Sequence, residues 1–208
     1  MIVSNVQLDK QRWDQRVLAA QPEGFFFMLS WYLDSVTPGW EGYVLGDYEG
    51  IYPIVPQQKF GVSYTHMPFL TRSFFPIGFD DIQSVALQQY LSNRFSYLQL
   101  AGVSLNEPYQ QQIRIYQVLD LTSFERSQCS ENHRRQYKKA DQQGYEMDTL
   151  VNPAGLITLF RQVKGAEFTH LKDADYLLLA RLMEEANRRG YLRQFSLWNK
   201  GVLVGAAA

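Results

Sequence analysis

Apolar residues recur along this chain at two spacings, the three-to-four-residue spacing of amphipathic helices and the alternation of strands. The helical spacing predicts helices over about 9–20, 25–36, 82–94, 123–143, 153–166 and 173–189. Alternation predicts the strands "WEGYVLGD", "GIYPIVPQ", "KFGVSYTHMPF", "YLQLAGV", "IRIYQVLDL", "YEMDTL", "YLRQFSLWN" and "VLVGAAA". Short strands joined by tight turns favour a mixed α/β (α+β) fold. We expect its central sheet, built from 42–67 and 96–119, to be mainly antiparallel with flanking helices.

The predicted elements occur in one order twice. The chain opens helix, helix, strand, turn, strand, and the segment 153–208 has the same order. We therefore predict a first unit over 1–120, a connecting basic helix over 121–144, and the start of a second unit over 145–208. The two segments share no residue-by-residue identity, so a chance match stays open. An apolar final strand leaves unpaired backbone groups at a sheet edge, which favours a fragment with an incomplete second unit.

Composition limits the classes of function. The chain has 208 residues, 46% of them apolar, and a formal net charge of -1. A whole-surface binder of polyanions would be clearly basic, so phosphate binding has to come from a local patch. Cys129 is the only cysteine, which excludes an internal disulfide framework and fits a reducing compartment. Without a signal-peptide pattern or a membrane-spanning apolar stretch, we expect a cytoplasmic protein.

A local basic patch stands in the polar run "ENHRRQYKKADQQGYEMDTL", residues 131–150. Its four cations fall within about 140° of a helix, so they share one face. They are Arg134, Arg135, Lys138 and Lys139. Arg favours bidentate phosphate contacts and Lys favours single-point contacts. Three interpretations stay open: a solvated helix face, a phosphate or RNA-backbone site beside a cleft between the units, and salt bridges to another domain or subunit.

Three stretches resemble a known family. They are "SWYLDSVTPGWEGYVLGDYEGIYPI", "KFGVSYTHMPF" and "NHRRQYKKADQQGYEM", and together they cover most of 25–150. Each is similar to segments of the GNAT acyltransferase superfamily, and their order resembles the tandem GNAT-like units of Fem-type peptidyltransferases. The last stretch resembles the helix that introduces the second unit in Fem-type enzymes. The resemblance implies transfer of an acyl or aminoacyl group to an amine, with a small molecule or a peptidoglycan precursor as acceptor and with tRNA as a partner.

One departure from that family concerns the donor. GNAT enzymes hold the pyrophosphate of acetyl-CoA on a glycine-rich turn before a helix, where backbone N–H groups point at the anion. The corresponding stretch here, "PFLTRSFFPIGFDDI" at about 68–82, has one glycine and bulky aromatics. We therefore expect no cofactor in this chain and no acetyl-CoA turnover by it. Acetyl-CoA or aminoacyl-tRNA would be the donor of the full-length protein.

Other chemistry-bearing residues are isolated. His66, His133 and His170 lie far apart without acidic or Cys partners at ligand spacing, which predicts no metal site. Cys129 has no matched histidine and is expected to be unreactive. No residue is named for catalysis. The sequence favours an acyl- or aminoacyltransferase-like protein, with a non-catalytic binding module on a degenerate GNAT fold as the alternative, and it leaves the oligomeric state open.

Overall fold

The computed structural model describes residues 1–20, 25–103, 105, 109–110, 112, 115, 122–168 and 170–208. The helices in these ranges are α1 (Lys10–Ala20), α2 (Ser30–Val36), α3 (Asp81–Arg94), α4 (Glu131–Gln142), α5 (Pro153–Val163) and α6 (Asp173–Arg188). The strands are β1 (Ile2–Ser4), β2 (Glu41–Leu45), β3 (Gly50–Ile54), β4 (Pro56–Lys59), β5 (Val62–His66), β6 (Tyr97–Gln99), β7 (Glu146–Asp148), β8 (Phe195–Asn199) and β9 (Val202–Ala207). The mixed α+β class is therefore confirmed.

Contacts between residues divide the chain into two units. Unit 1 contains Met1–Gln111 and Asp173–Glu185, and unit 2 contains Gln112–Lys172 and Ala186–Ala208. The boundaries predicted from the sequence, with a first unit over 1–120, a connecting helix over 121–144 and a second unit from 145, stay a prediction.

The described strands of unit 1 form two three-stranded sheets, with orders β1-β2-β3 and β4-β5-β6. All neighbours are antiparallel except β5 and β6, which run parallel from Tyr64 beside Tyr97 to His66 beside Gln99. The mainly antiparallel pairing is as predicted. The expectation of one central sheet from 42–67 and 96–119 is wrong for the described residues, because the strand path breaks at Val55 between β3 and β4. The predicted strand "IRIYQVLDL" lies mostly outside the described residues.

The core of unit 1 is built around two tryptophans. Trp13 of α1 and Trp40 before β2 are fully buried, with ring centroids 5.0 Å apart. The indole N–H of Trp13 donates to the Met28 carbonyl at 2.7 Å. A side chain at Gly42 of β2 would collide with Leu8 and Trp13, so glycine allows this close packing. Trp31 and Tyr32 are also buried.

The predicted helix over 25–36 is interrupted. Residues Phe25–Met28 form a single 3₁₀ turn, Leu29 is extended, and α2 begins at Ser30. The cause is a cap supplied from α1. Asp14 accepts the backbone N–H of Ser30 at 2.6 Å and its hydroxyl at 2.8 Å, which satisfies donors at the start of α2.

The predicted single strand through 59–69 is also wrong. Phe60 and Gly61 have positive φ angles of 51° and 78°, and they form a two-residue turn between β4 and β5. Positive φ at both turn positions matches the twist of the flanking strands. Phe60 is therefore an exposed turn residue and not an alternating strand position.

Helix α3 is tied to the first sheet by a partly buried ion pair. Arg94 at its last turn makes two hydrogen bonds to the Glu41 carboxylate of β2, one of them with an N–O distance of 2.9 Å. The Tyr90 hydroxyl accepts a further bond from Arg94 at 2.7 Å. These acceptors raise the pKa of Arg94, so its guanidinium stays charged.

The described strands of unit 2 form one antiparallel sheet of order β7-β8-β9, with a bulge between Leu197 and Trp198. The hairpin turns at Lys200 and Gly201, which both have positive φ. Helix α5 lies against β9. Its start is fixed by Asn152, which accepts the N–H of Gly155 at 2.9 Å and donates its own backbone N–H to the buried Gln194 at 2.9 Å.

The segments 2–54 and 146–207 share their element order. Each runs strand, helix, 3₁₀ turn, helix, strand, strand. Each also pairs its first strand antiparallel with its second, and its second antiparallel with its third. The shared order therefore includes one more strand than the sequence predicted, because each segment begins with a short strand, β1 or β7.

Within the described ranges, none of the helices has the length and apolar character needed to cross a bilayer.

Candidate functional site

Helix α4 carries the predicted basic patch, and none of its residues is buried. It begins later than predicted, because residues Arg126–Gln128 form a separate 3₁₀ turn and Ser130 caps the helix. The Ser130 hydroxyl accepts the backbone N–H of His133 at 3.3 Å. Gly144 follows the helix with φ of 67°, the left-handed conformation expected there. Caps and side-chain pairs, and not a buried face, therefore hold α4.

The four predicted cations divide into two pairs. Arg134 and Lys138, one helical turn apart, line an open hollow of about 530 Å³. Arg135 instead forms an exposed ion pair with Glu131 at 3.1 Å. Lys139 follows Arg135 by one turn and does not line the hollow. The structure thus brings one pair of the predicted residues to a concave surface and leaves the other pair on the neighbouring face.

We call this hollow the α4 hollow. It is lined by Arg126, Ser127, Arg134, Tyr137, Lys138 and Asp141. All of them belong to unit 2. Three cations face one carboxylate, which gives a formal excess of two positive charges in a protein whose net charge is -1.

Two lining residues were missed by sequence reasoning. The guanidinium of Arg126 lies 3.3 Å from the ring centroid of Tyr137, which is stacking distance. Tyr137 is 54% exposed. Its place between the cation pairs of "RRQYKK" was a usable signal, because it lies three residues after Arg134 on the same helix face. Arg126 gave no periodic signal, because it precedes α4 in a separate turn.

The excess of positive charge makes the α4 hollow suited to anions. Guanidinium and ammonium groups donate hydrogen bonds to phosphate oxygens, and the exposed tyrosine ring offers a stacking surface. The Ser127 hydroxyl is engaged by Glu125 at 3.1 Å. The arrangement therefore fits recognition of a phosphorylated ligand.

The remaining predicted candidates lie apart. The ring of His133 contacts the Ser130 hydroxyl at 3.0 Å, and His66 stacks on Tyr64 within unit 1. Cys129 is a free, partly buried cysteine. Among the described residues, no three His, Cys, Asp or Glu side chains gather as a metal centre would require.

The stretch 68–82 leads into the start of α3. Here the Asp80 carboxylate accepts the N–H of Gln83 at 2.7 Å, and Gln83 completes a capping box. Asp81 adds a second carboxylate in the first turn. The glycine of this stretch, Gly78, has φ of 73° and packs against the Glu49 backbone, where a Cβ would collide. The helix start therefore already holds an anion of its own.

Unit 1 also buries polar atoms that lack partners. In the described part of the chain, no hydrogen bond reaches Tyr52 Oη, His66 Nδ1 or Ser73 Oγ. Burial raises the pKa of Tyr52. Tyr52 and Ser73 are almost completely buried, so we assign them no ligand.

Comparison with protein-family models, with curated proteins and with solved structures returned no significant match.

Proposed function

We propose that this protein is an acyl- or aminoacyltransferase-like protein with tandem GNAT-like units, in which α4 binds phosphate groups of a tRNA or a nucleotide-linked substrate. The observation that carries the proposal is the α4 hollow, where Arg126, Arg134 and Lys138 face one open space. A near-neutral protein that concentrates cations in one place is suited to local rather than general binding of polyanions.

The element order supports the transferase part of the proposal. The helix–helix–hairpin order expected for the first unit is present in 2–54 and recurs in 146–207, and in both segments a short strand precedes it. The basic helix α4 lies between these segments in the chain, where the resemblance to Fem-type enzymes places the helix that introduces the second unit.

Within this proposal, α4 positions the substrate and does not react with it. Arg134 and Arg126 supply forked donors, and Lys138 supplies a point charge. The donor would be aminoacyl-tRNA rather than acetyl-CoA bound to unit 1, because Asp80 occupies the anion-binding start of α3. The acceptor would be an amine of a small molecule or a peptidoglycan precursor.

A non-catalytic binding module is the second candidate. One observation favours it: the described lining of the α4 hollow consists of three cations, a tyrosine, a serine and one carboxylate, a set suited to holding an anion. Both candidates require phosphate binding by α4, and only the first requires transfer.

The test is binding of bulk tRNA and of UDP-N-acetylglucosamine to the 208-residue chain, measured by fluorescence anisotropy and calorimetry across a salt series. We expect Arg134→Ala/Lys138→Ala to weaken tRNA binding by about tenfold or more and to lower the salt slope by about two, because two phosphate contacts are lost. A matched control is Arg135→Ala/Lys139→Ala, which removes the same charge from the neighbouring face of α4 and should have the smaller effect.

Two outcomes contradict the proposal. If the Arg134→Ala/Lys138→Ala protein binds both ligands with unchanged affinity and salt slope, the patch is a solvated helix face. If both double variants lose affinity equally, the binding follows total charge, and the α4 hollow is not a site.

A further inference from the structure

The α4 hollow combines its cations with an aromatic platform. Tyr137 lines the hollow and is about half exposed, and the Arg126 guanidinium lies over its ring at 3.3 Å from the centroid. A binding site for phosphate alone needs no aromatic ring. Stacked aromatic and guanidinium planes are the features by which proteins hold unpaired bases.

The spacing of these groups fits one ligand unit. Arg134 and Tyr137 are three residues apart on α4, and Arg134 and Lys138 are four apart, so neighbouring Cβ atoms are separated by about 5–6 Å. The stacking platform and the phosphate-binding pair therefore lie within the span of a single nucleotide. Asp141, on the same side of the helix, is the only acidic group among the described residues that line the α4 hollow.

We propose that the α4 hollow is a nucleotide site, in which an unpaired base stacks against the Arg126–Tyr137 pair while its phosphates contact Arg134 and Lys138. This inference rests on the proposed phosphate-binding function of α4. It adds the ligand class: a single-stranded nucleic-acid segment or a free nucleotide, and not an RNA duplex, a bare phosphate or an acidic peptide.

The experiment compares three probes of equal charge on the full chain: a short oligouridylate, an abasic oligomer with the same number of phosphates, and an oligoglutamate. We expect the oligouridylate to bind about tenfold more tightly than the abasic oligomer, because stacking on an aromatic side chain discriminates by that order. A second comparison, of UTP with inorganic tripolyphosphate, shows whether a free nucleotide is sufficient for binding or a longer strand is required.

Substitutions at Tyr137 test whether the preference for oligouridylate over the abasic oligomer depends on the tyrosine ring. Tyr137→Leu should abolish the preference for oligouridylate while keeping abasic-oligomer affinity, and Tyr137→Phe should keep both. The matched control is Tyr97→Leu, since Tyr97 is 55% exposed, lies in unit 1 and is remote in sequence from α4. Circular dichroism of each variant checks that α4 and the sheets remain folded.

The outcomes separate this inference from the function on which it rests. If wild-type protein binds the abasic oligomer or oligoglutamate as tightly as oligouridylate, the nucleotide site is refuted while phosphate binding by α4 can stand. The nucleotide site is likewise refuted if Tyr137→Leu keeps the full preference for oligouridylate. If Arg134→Ala/Lys138→Ala leaves every affinity unchanged, phosphate binding by α4 fails, and the nucleotide site fails with it.

Discussion

Two buried tyrosines of unit 1 differ in one hydrogen bond. Tyr32 Oη donates to the Leu70 carbonyl at 2.5 Å, whereas Tyr52 Oη has no hydrogen-bond partner among the described residues. Burial raises the pKa of both, that of Tyr32 to about 12. A buried hydroxyl without a partner costs free energy, and a paired one recovers most of that cost. Replacement by phenylalanine should therefore affect the free energy of unfolding differently at Tyr32 and at Tyr52.

We predict that Tyr52→Phe leaves the free energy of unfolding unchanged or raises it by about 1 kcal/mol, and that Tyr32→Phe lowers it by about 1 kcal/mol. Chemical denaturation of the two variants measures the difference. Destabilisation of Tyr52→Phe by more than Tyr32→Phe would show that the Tyr52 hydroxyl is satisfied in solution.

Alkaline pH provides a second readout of the same two residues. Their folded-state pKa values lie above the ordinary value of 10. The free energy that the two neutral hydroxyls add to folding is therefore complete below pH 10, and it is lost as the pH rises through the folded-state pKa values. We expect the free energy of unfolding to fall above pH 10 by up to about 1.4 kcal/mol per pH unit for each tyrosine. Each Phe variant should show a shallower fall, and an unchanged slope would contradict the assignment.

Among the elements, those with local end signals were predictable from the sequence. Helix α3 begins after Asp80, a residue type that commonly caps helices, and Gly144 follows α4 in the left-handed conformation that glycine favours at a helix end. The breaks at Leu29 and at Phe60 were not predictable. The first depends on Asp14, a residue of another helix, and the second requires positive φ at a phenylalanine, which local preferences disfavour.

The candidate site was predictable to the same extent. Helical spacing placed Arg134 and Lys138 on one face, because both lie in a single regular element. It placed Arg135 and Lys139 on that face too, and it could not show that Arg135 pairs with Glu131. Arg126 reaches Tyr137 through an irregular turn between the 3₁₀ segment and α4, and periodicity carries no information across such a turn.

The start of α3 leads to a prediction about the cofactor. Its first N–H groups are capped by Asp80, and Asp81 adds charge of the same sign as a pyrophosphate. Like charges at a helix start oppose anion binding. We therefore expect the purified 208-residue chain to show neither calorimetric binding of acetyl-CoA nor acetyl transfer above a heat-treated control. Saturable binding that is strengthened by Asp81→Asn would overturn this prediction, since it would place the pyrophosphate at α3.

Across the whole molecule, buried apolar side chains are distributed unequally. Within the described residues, Ile157 is the single buried hydrophobic side chain of unit 2, while unit 1 contains two buried tryptophans together with the apolar residues around them. The buried positions of unit 2 also include the polar pair Gln194 and Ser196, joined at 3.0 Å. Because burial of apolar surface supplies most of the stabilisation, unit 2 should open at a lower free energy than unit 1.

Native-state hydrogen exchange tests this difference. We predict that amides of β2 and β3 in unit 1 exchange more slowly than those of β8 and β9 in unit 2, by about tenfold or more, because regions with few buried apolar contacts open locally. Low concentrations of urea should accelerate β8 and β9 first, and Ile157→Ala should widen the gap without changing β2. Saturation with oligouridylate should slow exchange in unit 2 selectively, since a ligand that binds only the folded unit stabilises it by mass action. Equal protection of the two hairpins, with equal urea dependence, would contradict the prediction and indicate that both units unfold as one cooperative body.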